Sequence, residues 1–281
     1  MIKIIGLGPG NPNALTIGAM KELEECQNIY LRTEMHPTVS YLKQKNIKFK
    51  TYDYLYENSN SFDEVYESIA NDLVEKSHKE GELIYAVPGH PLVAEKSVVN
   101  LINLCKKNNI SYKLIPSVSF IDVMMERLEI DPIGGLEIID AFDLDKQILN
   151  KRIGVVITQV YSRFIASEVK IQLGKFYNDD TDIIYCRAVG IEGEERIERI
   201  PLYELDMQED IDHLTSVYIP KDVNNKKDIY DLFNVVEILR GENGCPWDRE
   251  QTHESIKKAI VEESYEVMDA INNNDINGLK Y

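Results

Sequence analysis

Four acidic residues near the C-terminus have the types and spacing to bind a divalent cation. Glu262 and Glu266 lie four residues apart, Asp269 follows three later, and Glu263 is adjacent, so a helix would place them close together. Like charges at this spacing destabilise a helix by about 0.2–0.5 kcal/mol per pair. Mg²⁺ would offset that repulsion, and it also binds phosphate oxygens. A solvated acidic helix face has the same pattern, and the spacing alone favours that simpler interpretation.

A second candidate site is the segment GLGPG at 6–10, which follows the apolar run at 2–5. Its three glycines remove side chains where a strand turns into a helix, so backbone amides can approach a ligand closely. The spacing differs from the dinucleotide fingerprint GxGxxG, and the segment lacks the basic residue of a P-loop. Taken alone, it is equally consistent with a structural turn.

The elements around these segments predict an α/β fold. The run at 2–5 is a strand, and apolar residues at helical spacing from Leu15 to Leu23 predict the helix that follows. A second buried strand is predicted at 83–87, which ends in the loop PGHP at 88–91, with a helix at 93–106. Strands that end in Gly/Pro loops and feed helices indicate a parallel sheet with ligand at the carboxyl ends of the strands.

The rest of the chain predicts a second α/β block and then a purely helical segment. The block contains more antiparallel candidates than the first, with strands predicted at 153–159, 182–188, 197–201 and 216–220 and a helix at 164–173. The polar residues 221–227 are predicted to be a linker. From 228 the pattern is helical, with one helix ending before Gly241 and another at 253–271.

Composition limits the classes of function. The chain has 281 residues, 43% hydrophobic and 28% charged, which are proportions typical of a soluble globular protein. The apolar runs are shorter than a transmembrane helix needs, and the N-terminal run is too short for a signal peptide. A net charge of −17 argues against nucleic-acid binding. Four scattered cysteines form neither a zinc motif nor a disulfide framework, so we expect a cytoplasmic protein.

Residues 1–220 resemble the tetrapyrrole (corrin/porphyrin) methylases. The opening GLGPGNPNALTIGAMKEL matches the start of that family, where a Leu-Thr pair, here Leu15-Thr16, begins the first helix. Further matches follow in order, and they fit a branch of the family that is fused to MazG: AVPGHPLVAE at 86–95, PSVSF at 116–120, LEIDPIGGLEIIDA at 128–141 and TQVYSRFIASEVK at 158–170. The run of motifs in register is far more specific than one glycine loop.

The resemblance implies that S-adenosylmethionine binds in a cleft between two α/β lobes. Carried over by position, the implied contacts are Gly8, Pro9, Gly10, Pro88, Gly89, His90, Ser117, Val118, Ser119, Thr158 and Gln159. His90 departs from the acidic residue of many members, and it is alternatively a loop histidine ordered between two prolines. Methyl transfer in this family mainly requires positioning, so no catalytic base is assigned. Asp122, Asp131 and Asp140 are interpreted as helix caps or surface acids.

The segment GCPWDREQTHESIKKAIVEESYEVMDAI at 244–271 resembles the start of MazG nucleoside triphosphate pyrophosphohydrolases. That resemblance reverses the interpretation of the acidic helix, because it makes Glu262, Glu263 and Glu266 ligands of Mg²⁺. It also implies that Trp247, Asp248, Gln251 and His253 shape a pocket for a nucleoside triphosphate, although Trp247 could equally be a core residue.

MazG completes its metal site with a glutamate and an aspartate on a following helix, which this sequence does not contain; Asp269 lies on the same helix as the first set. We therefore expect no pyrophosphohydrolase activity from this chain alone. The favoured function is a methyltransferase of unknown small-molecule acceptor joined to an incomplete MazG segment. The alternatives are a non-catalytic module that senses S-adenosylmethionine or a nucleoside, and a peptide backbone N-methyltransferase. Both family resemblances imply a homodimer.

Overall fold

The computed structural model describes residues 1–59, 61–225 and 229–280. The chain divides into two compact units, Met1–Val223 and Asn224–Tyr281. The predicted linker at 221–227 overlaps both units. Residues 226–228, which include the end of this linker and the predicted start of the helical segment, lie outside the described residues. The helices of the described ranges include none with the length and apolarity needed to cross a bilayer.

The first lobe of the first unit contains a parallel sheet with the strand order β3-β2-β4-β1-β5. Its strands are β1 (Ile2–Gly6), β2 (Ile29–Leu31), β3 (Lys50–Thr51), β4 (Leu83–Val87) and β5 (Tyr112–Leu114). β1 and β4 pair along their full length, from Ile2 opposite Leu83 to Gly6 opposite Val87. Both strands therefore end at the same level, and their following loops start side by side.

Helices cover both faces of this sheet and enclose two apolar clusters. They are α1 (Ile17–Glu25), α2 (Pro37–Gln44), α3 (Asp53–Asn58), α4 (Phe62–Glu80) and α5 (Lys96–Lys107). Burial on both faces explains why β4 is a continuous apolar run and why β1 is apolar except at Lys3, which pairs with Glu22 and Glu82. The predicted start of α1 is confirmed, since the Thr16 hydroxyl accepts a hydrogen bond from the Ala19 amide at 3.1 Å.

The helix predicted from residue 93 begins later, at Lys96. Ala94 has a φ of 53°, which is left-handed backbone that cannot continue a right-handed helix. Glu95 is the N-cap residue instead. The apolar periodicity of this stretch extends one turn further back than the backbone conformation allows, so the predicted boundary was wrong by three residues.

The second lobe is a mixed sheet with the order β6-β7-β10-β8-β9. Its elements are β6 (Leu136–Asp140), β7 (Gly154–Thr158), β8 (Asp182–Arg187), β9 (Arg196–Pro201) and β10 (Thr215–Ile219), while α6 (Phe120–Leu128) leads in from the first lobe and α7 (Arg163–Leu173) follows β7. β6 and β7 are parallel, and the other pairings are antiparallel, which agrees with the predicted larger share of antiparallel strands. The strand β6 was not predicted. Val118 and Val123 pack in one cluster with Val156 and Cys186 of this sheet, so apolar contact joins the lobes.

The second unit is helical, with α8 (Ile229–Arg240), α9 (Pro246–Glu250) and α10 (His253–Asn272). α10 begins with a capping box between Thr252 and Ser255. α9 was not predicted because one turn is too short to have a period; Pro246 at its first position provides the helical φ. The predicted architecture, an α/β part followed by a short all-α segment, is confirmed.

Candidate functional site

The loops after β1 and β4 are joined by a two-way backbone hydrogen bond between glycines. The Gly8 amide donates to the Gly89 carbonyl at 3.2 Å, and the Gly89 amide donates to the Gly8 carbonyl at 2.9 Å. Gly8 has a φ of 73° and Gly89 a φ of 65°, a conformation that glycine adopts without steric cost. Two predicted cofactor residues from distant parts of the sequence therefore meet at the carboxyl edge of the parallel sheet.

Ser117, in the loop after β5, joins the same edge. Its hydroxyl accepts from the Gly6 amide at 2.9 Å and donates to the Ile115 carbonyl at 3.0 Å. A side chain at Gly6 would lie 2.8 Å from the Ser117 Cβ and would also strike the Gly89 carbonyl oxygen. Backbone hydrogen bonds thus join the loops after β1 and β4, and the Ser117 side chain ties the loop after β5 to them. Pro9 and Gly10 are buried, and Gly10 lies close to Ile191 of the second lobe.

The other first-lobe residues of the predicted site have structural partners. His90 Nδ1 accepts from the Leu92 amide at 3.1 Å, so the imidazole orders the loop that follows Pro88. Ser119 caps α6, with its hydroxyl accepting from the amides of Ile121 and Asp122. Asp122 completes that capping box, and Asp131 and Asp140 cap short 3-10 turns, which confirms their interpretation as caps.

Thr158 and Gln159 lie at the end of β7 in the second lobe. The buried Thr158 hydroxyl donates to the Ile139 carbonyl at 3.3 Å. The Gln159 amide donates to Asp140, and its carbonyl oxygen accepts from the Tyr161 hydroxyl. Burial raises the pKa of the Asp140 carboxyl, with the Gln159 hydrogen bond opposing that rise. These hydrogen bonds fix both residues within their own lobe rather than against the Gly8–Gly89 pair.

Sequence reasoning missed a buried ion pair at the same sheet edge. Arg32 follows β2, and its Nη1 lies 3.2 Å from Glu95 Oε2, with side-chain exposures of 21% and 3%. Ser97 Oγ donates to Glu95 at 2.6 Å and lies 2.7 Å from the Tyr85 hydroxyl. Burial raises the pKa of Glu95, opposed by the Arg32 charge. A three-residue strand gives too weak a pattern to place Arg32, and the pairing with Glu95 depends on the tertiary fold.

His36 is a second residue that the sequence did not single out. Its Nδ1 is buried without a hydrogen-bond partner, and the ring makes a hydrogen bond with the Gly8 backbone. Burial, followed by the Arg32 charge, lowers its pKa to about 4, so the imidazole is neutral at pH 7. Nearby, the Thr38 hydroxyl donates to the Leu7 carbonyl at 3.1 Å. α2 and its N-cap residue His36 therefore support the glycine loop.

In the second unit, the residues predicted to contact a nucleotide lie in α9 and in the residues that follow it. The Gln251 amide donates to the Trp247 carbonyl at 3.0 Å, and Arg240 of α8 donates to the Asp248 carbonyl at 2.9 Å. His253 is the first residue of α10. Trp247 is 67% exposed. Arg240 is the residue that sequence reasoning missed here.

Glu262, Glu263 and Glu266 are all exposed along α10. Glu262 Oε1 lies 3.6 Å from Lys258 Nζ. Within 1–59, 61–225 and 229–280, no group of three or more His, Cys, Asp or Glu side chains is placed to hold a metal ion. Carboxylates are the right donors for Mg²⁺, but within the described residues they do not converge as a site.

Comparison with known proteins identifies the class to which this architecture belongs. The sequence profile of the tetrapyrrole (corrin/porphyrin) methylases matches residues 1–206, and the chain belongs to this family. The profile of the MazG nucleotide pyrophosphohydrolase domain matches residues 251–281. Both resemblances predicted from the motifs are confirmed.

Individual relatives match the same two regions. The protein YabN of Bacillus subtilis is 41% identical over 278 residues, which cover 98% of this chain and 56% of YabN. The chain thus spans little more than half the length of that relative. The nucleoside triphosphate pyrophosphohydrolase/pyrophosphatase MazG of Thermotoga maritima is 51% identical over 41 residues, 15% of this chain and 16% of that protein.

Among solved structures, the uroporphyrin-III C-methyl transferase of Thermus thermophilus, complexed with S-adenyl homocysteine, has a TM-score of 0.58. It is 15% identical, and the match covers 77% of this chain and 95% of that one. At this identity the likeness establishes the fold, a methyltransferase-like α/β architecture, and nothing finer.

Proposed function

We propose that the first unit binds S-adenosylmethionine at the carboxyl edge of the parallel sheet and transfers its methyl group to a small-molecule acceptor. The observation that carries this proposal is the Gly8–Gly89 pair, which fixes the loops after two adjacent parallel strands where they meet and has open space at the Cβ position of Gly89. In open α/β sheets this edge is the usual position of ligands. Family membership supports the choice of cofactor.

The space around Gly89 fits a bound ligand. Apart from Gly89 itself and its two chain neighbours, no protein atom would lie within 4 Å of a Cβ at Gly89, whereas a Cβ at Gly6, two residues before Gly8, would collide with three neighbouring atoms. We call the paired loops around Gly6, Gly8 and Gly89 the glycine cradle. Protein atoms fill the space beside Gly6, and the space beside Gly89 is open. Pro88 and His90 flank the open side, and His90 is ordered by its hydrogen bond with Leu92.

When bound, the cofactor supplies an electrophilic methyl group on a sulfonium sulfur. The contribution of the protein is to fix donor and acceptor in one geometry and to exclude water, which can account for a large part of a rate enhancement. We assign Gln159 a positioning role from the second lobe, because Asp140 and Tyr161 hold its amide in one orientation. Thr158 would border the same pocket from the end of β7.

The direct test uses methyl-labelled S-adenosylmethionine. Binding is measured first by calorimetry, with S-adenosylhomocysteine as the product control, and label transfer is then measured with uroporphyrinogen III and with extracted small molecules as acceptors. Binding with label transfer supports the enzyme. Binding without transfer to any acceptor supports a sensor of S-adenosylmethionine, and lack of binding to both ligands refutes the proposal.

For the second unit we propose a narrower role as part of a nucleotide site. The exposed Trp247 ring and the ordered turn of Asp248, Gln251 and His253 offer one wall for a nucleoside triphosphate. Glu262, Glu263 and Glu266 would contribute to an Mg²⁺ site only together with acidic groups from elsewhere, since the described residues form no such site. Equilibrium binding of a non-hydrolysable nucleoside triphosphate, with Trp247 fluorescence as the signal, tests this role.

A further inference from the structure

Arg32 has hydrogen-bonding capacity that the protein does not use. Its backbone amide donates to Ala86 at 2.9 Å, which places the residue beside the end of β4 and next to the glycine cradle. Its side chain is mostly buried, and Nε has no hydrogen-bond partner. A buried guanidinium donor without a partner is unfavourable, and such groups in native proteins call for a specific explanation.

The ion pair with Glu95 fixes the orientation of the Arg32 side chain. Its Nη1 faces Glu95 at 3.2 Å, and Glu95 is itself held by Ser97 at 2.6 Å. The Tyr85 hydroxyl lies 2.7 Å from Ser97 Oγ and connects this series of hydrogen bonds to the core of the lobe. A guanidinium held by a rigid network presents its remaining donors in one direction, which is how bidentate recognition of carboxylates and phosphates is built.

Aromatic side chains lie within electrostatic range of Arg32 on two sides. Tyr56 and Tyr66 belong to the first lobe, and Phe62 packs between them, with ring centroids 6.2 and 6.3 Å away. Tyr161 approaches from the second lobe, where it also contacts Gln159. Burial raises the pKa of Tyr161 to about 12, with a smaller rise from Tyr66. Half-buried tyrosines around a fixed cation suit a flat conjugated ligand.

We propose that this cluster, Arg32 with Glu95 beneath it and Tyr56, Tyr66 and Tyr161 around it, recognises the methyl acceptor. The acceptor class is a planar aromatic molecule that carries one anionic group, a carboxylate or a phosphate, bound by Arg32. The assignment rests on the proposed methyl transfer, because the cluster borders the glycine cradle on one side and Gln159 on the other.

The charge balance selects a singly anionic group over a polyanion. Glu95 already offsets part of the Arg32 charge, and Asp140 lies on the second-lobe side of Tyr161. The chain as a whole has a net charge of −17. A ligand with several carboxylates would meet repulsion beyond the one group that Arg32 can bind, while a single group would find a preorganised partner.

The test measures the binding of small-molecule probes to the protein after it has been saturated with S-adenosylhomocysteine. Phenyl phosphate and benzoate present a ring with one anion, and benzamide presents the same ring without charge. The variant is Arg32→Gln with Glu95→Gln, which removes both charges together so that neither is left buried alone. The matched control is Lys43→Gln, which removes a cation from an exposed ion pair with Glu34.

We expect millimolar binding of at least one anionic probe, at least tenfold weaker binding of benzamide, and at least tenfold loss in the double variant but not in the control. A preference for phenyl phosphate indicates a phosphorylated acceptor, and a preference for benzoate a carboxylic acid. Probe binding that is unchanged in the double variant, or undetectable up to about 10 mM in the wild type, overturns the assignment. S-adenosylhomocysteine affinity is measured first on every variant, so failure of the proposed function itself is recognised separately.

Discussion

Gly8 and Gly89 face each other across the carboxyl edge of the parallel sheet and exchange both of their backbone hydrogen bonds, at 3.2 and 2.9 Å. This bridge is antiparallel and lies just beyond Gly6 and Val87, the last pair of the parallel β1–β4 ladder. It converts two glycine loops into one rigid backbone surface. A Cβ would collide with neighbouring atoms at Gly6 but would find open space at Gly89.

Gly6→Ala should destabilise the first unit. The new methyl group would lie 2.8 Å from the Ser117 Cβ and 2.9 Å from the Pro91 Cδ, and the crowding Gly89 carbonyl belongs to backbone that cannot rotate away. We expect a loss of about 1–3 kcal/mol in the free energy of unfolding, measured by urea denaturation. The control is Gly18→Ala in α1, where the nearest atom is 3.8 Å away and Ala should stabilise the helix. Equal stability of the two variants would contradict the packing described here.

His36 should make stability depend on pH. The pKa of His36 is about 4 in the folded chain, against an ordinary value of 6.5. As pH falls from 6.5 towards 4, the imidazole therefore binds a proton in the unfolded chain but stays neutral in the folded chain. Stability is therefore lost over this window, by about 2 kcal/mol between pH 7 and pH 5. His36→Asn should reduce that slope in denaturation curves, and His78→Asn, which removes an exposed imidazole from α4, is the matched control. A slope that His36→Asn leaves unchanged would place the imidazole in contact with water.

The chain by itself should release no pyrophosphate from nucleoside triphosphates. The described residues place the three glutamates of the acidic motif on one exposed helix face, and no group of them is positioned to hold a metal ion. A coupled pyrophosphate assay with each common nucleoside triphosphate and Mg²⁺ measures this. Turnover that depends on Mg²⁺ and disappears in Glu262→Gln would show that the site is assembled in a way these helices do not reveal.

Much of the fold follows from local sequence pattern. β4 was predicted with its exact bounds because five consecutive apolar residues end at a Gly/Pro loop, and the parallel sheet followed from repeated strand, loop and helix order. The cap roles of Asp122, Asp131 and Asp140 were also predicted, since capping depends on residues two or three positions away.

Features that depend on tertiary contact were not predictable. The Arg32–Glu95 pair joins the end of β2 to the start of α5, and periodicity contains no information about such a pairing. The low pKa of His36 likewise requires burial beside Arg32 and Gly8. For the cofactor residues, the motifs predicted the loops correctly, but only the structure reveals that Ser119 and His90 have their hydrogen bonds committed to their own loops.

Calorimetric titration with S-adenosylmethionine tests the central claim most directly, on the wild type, Gly89→Ala and Gly81→Ala. Both glycines have positive φ and open space at the Cβ position, but Gly81 lies at the end of α4, at the opposite end of β4 from the cradle. We predict micromolar binding to the wild type and to Gly81→Ala, and binding at least tenfold weaker, roughly 1.4 kcal/mol, to Gly89→Ala. Absence of binding to the wild type, or equal affinity of the two variants, would contradict the assignment of the cofactor to the Gly8–Gly89 edge.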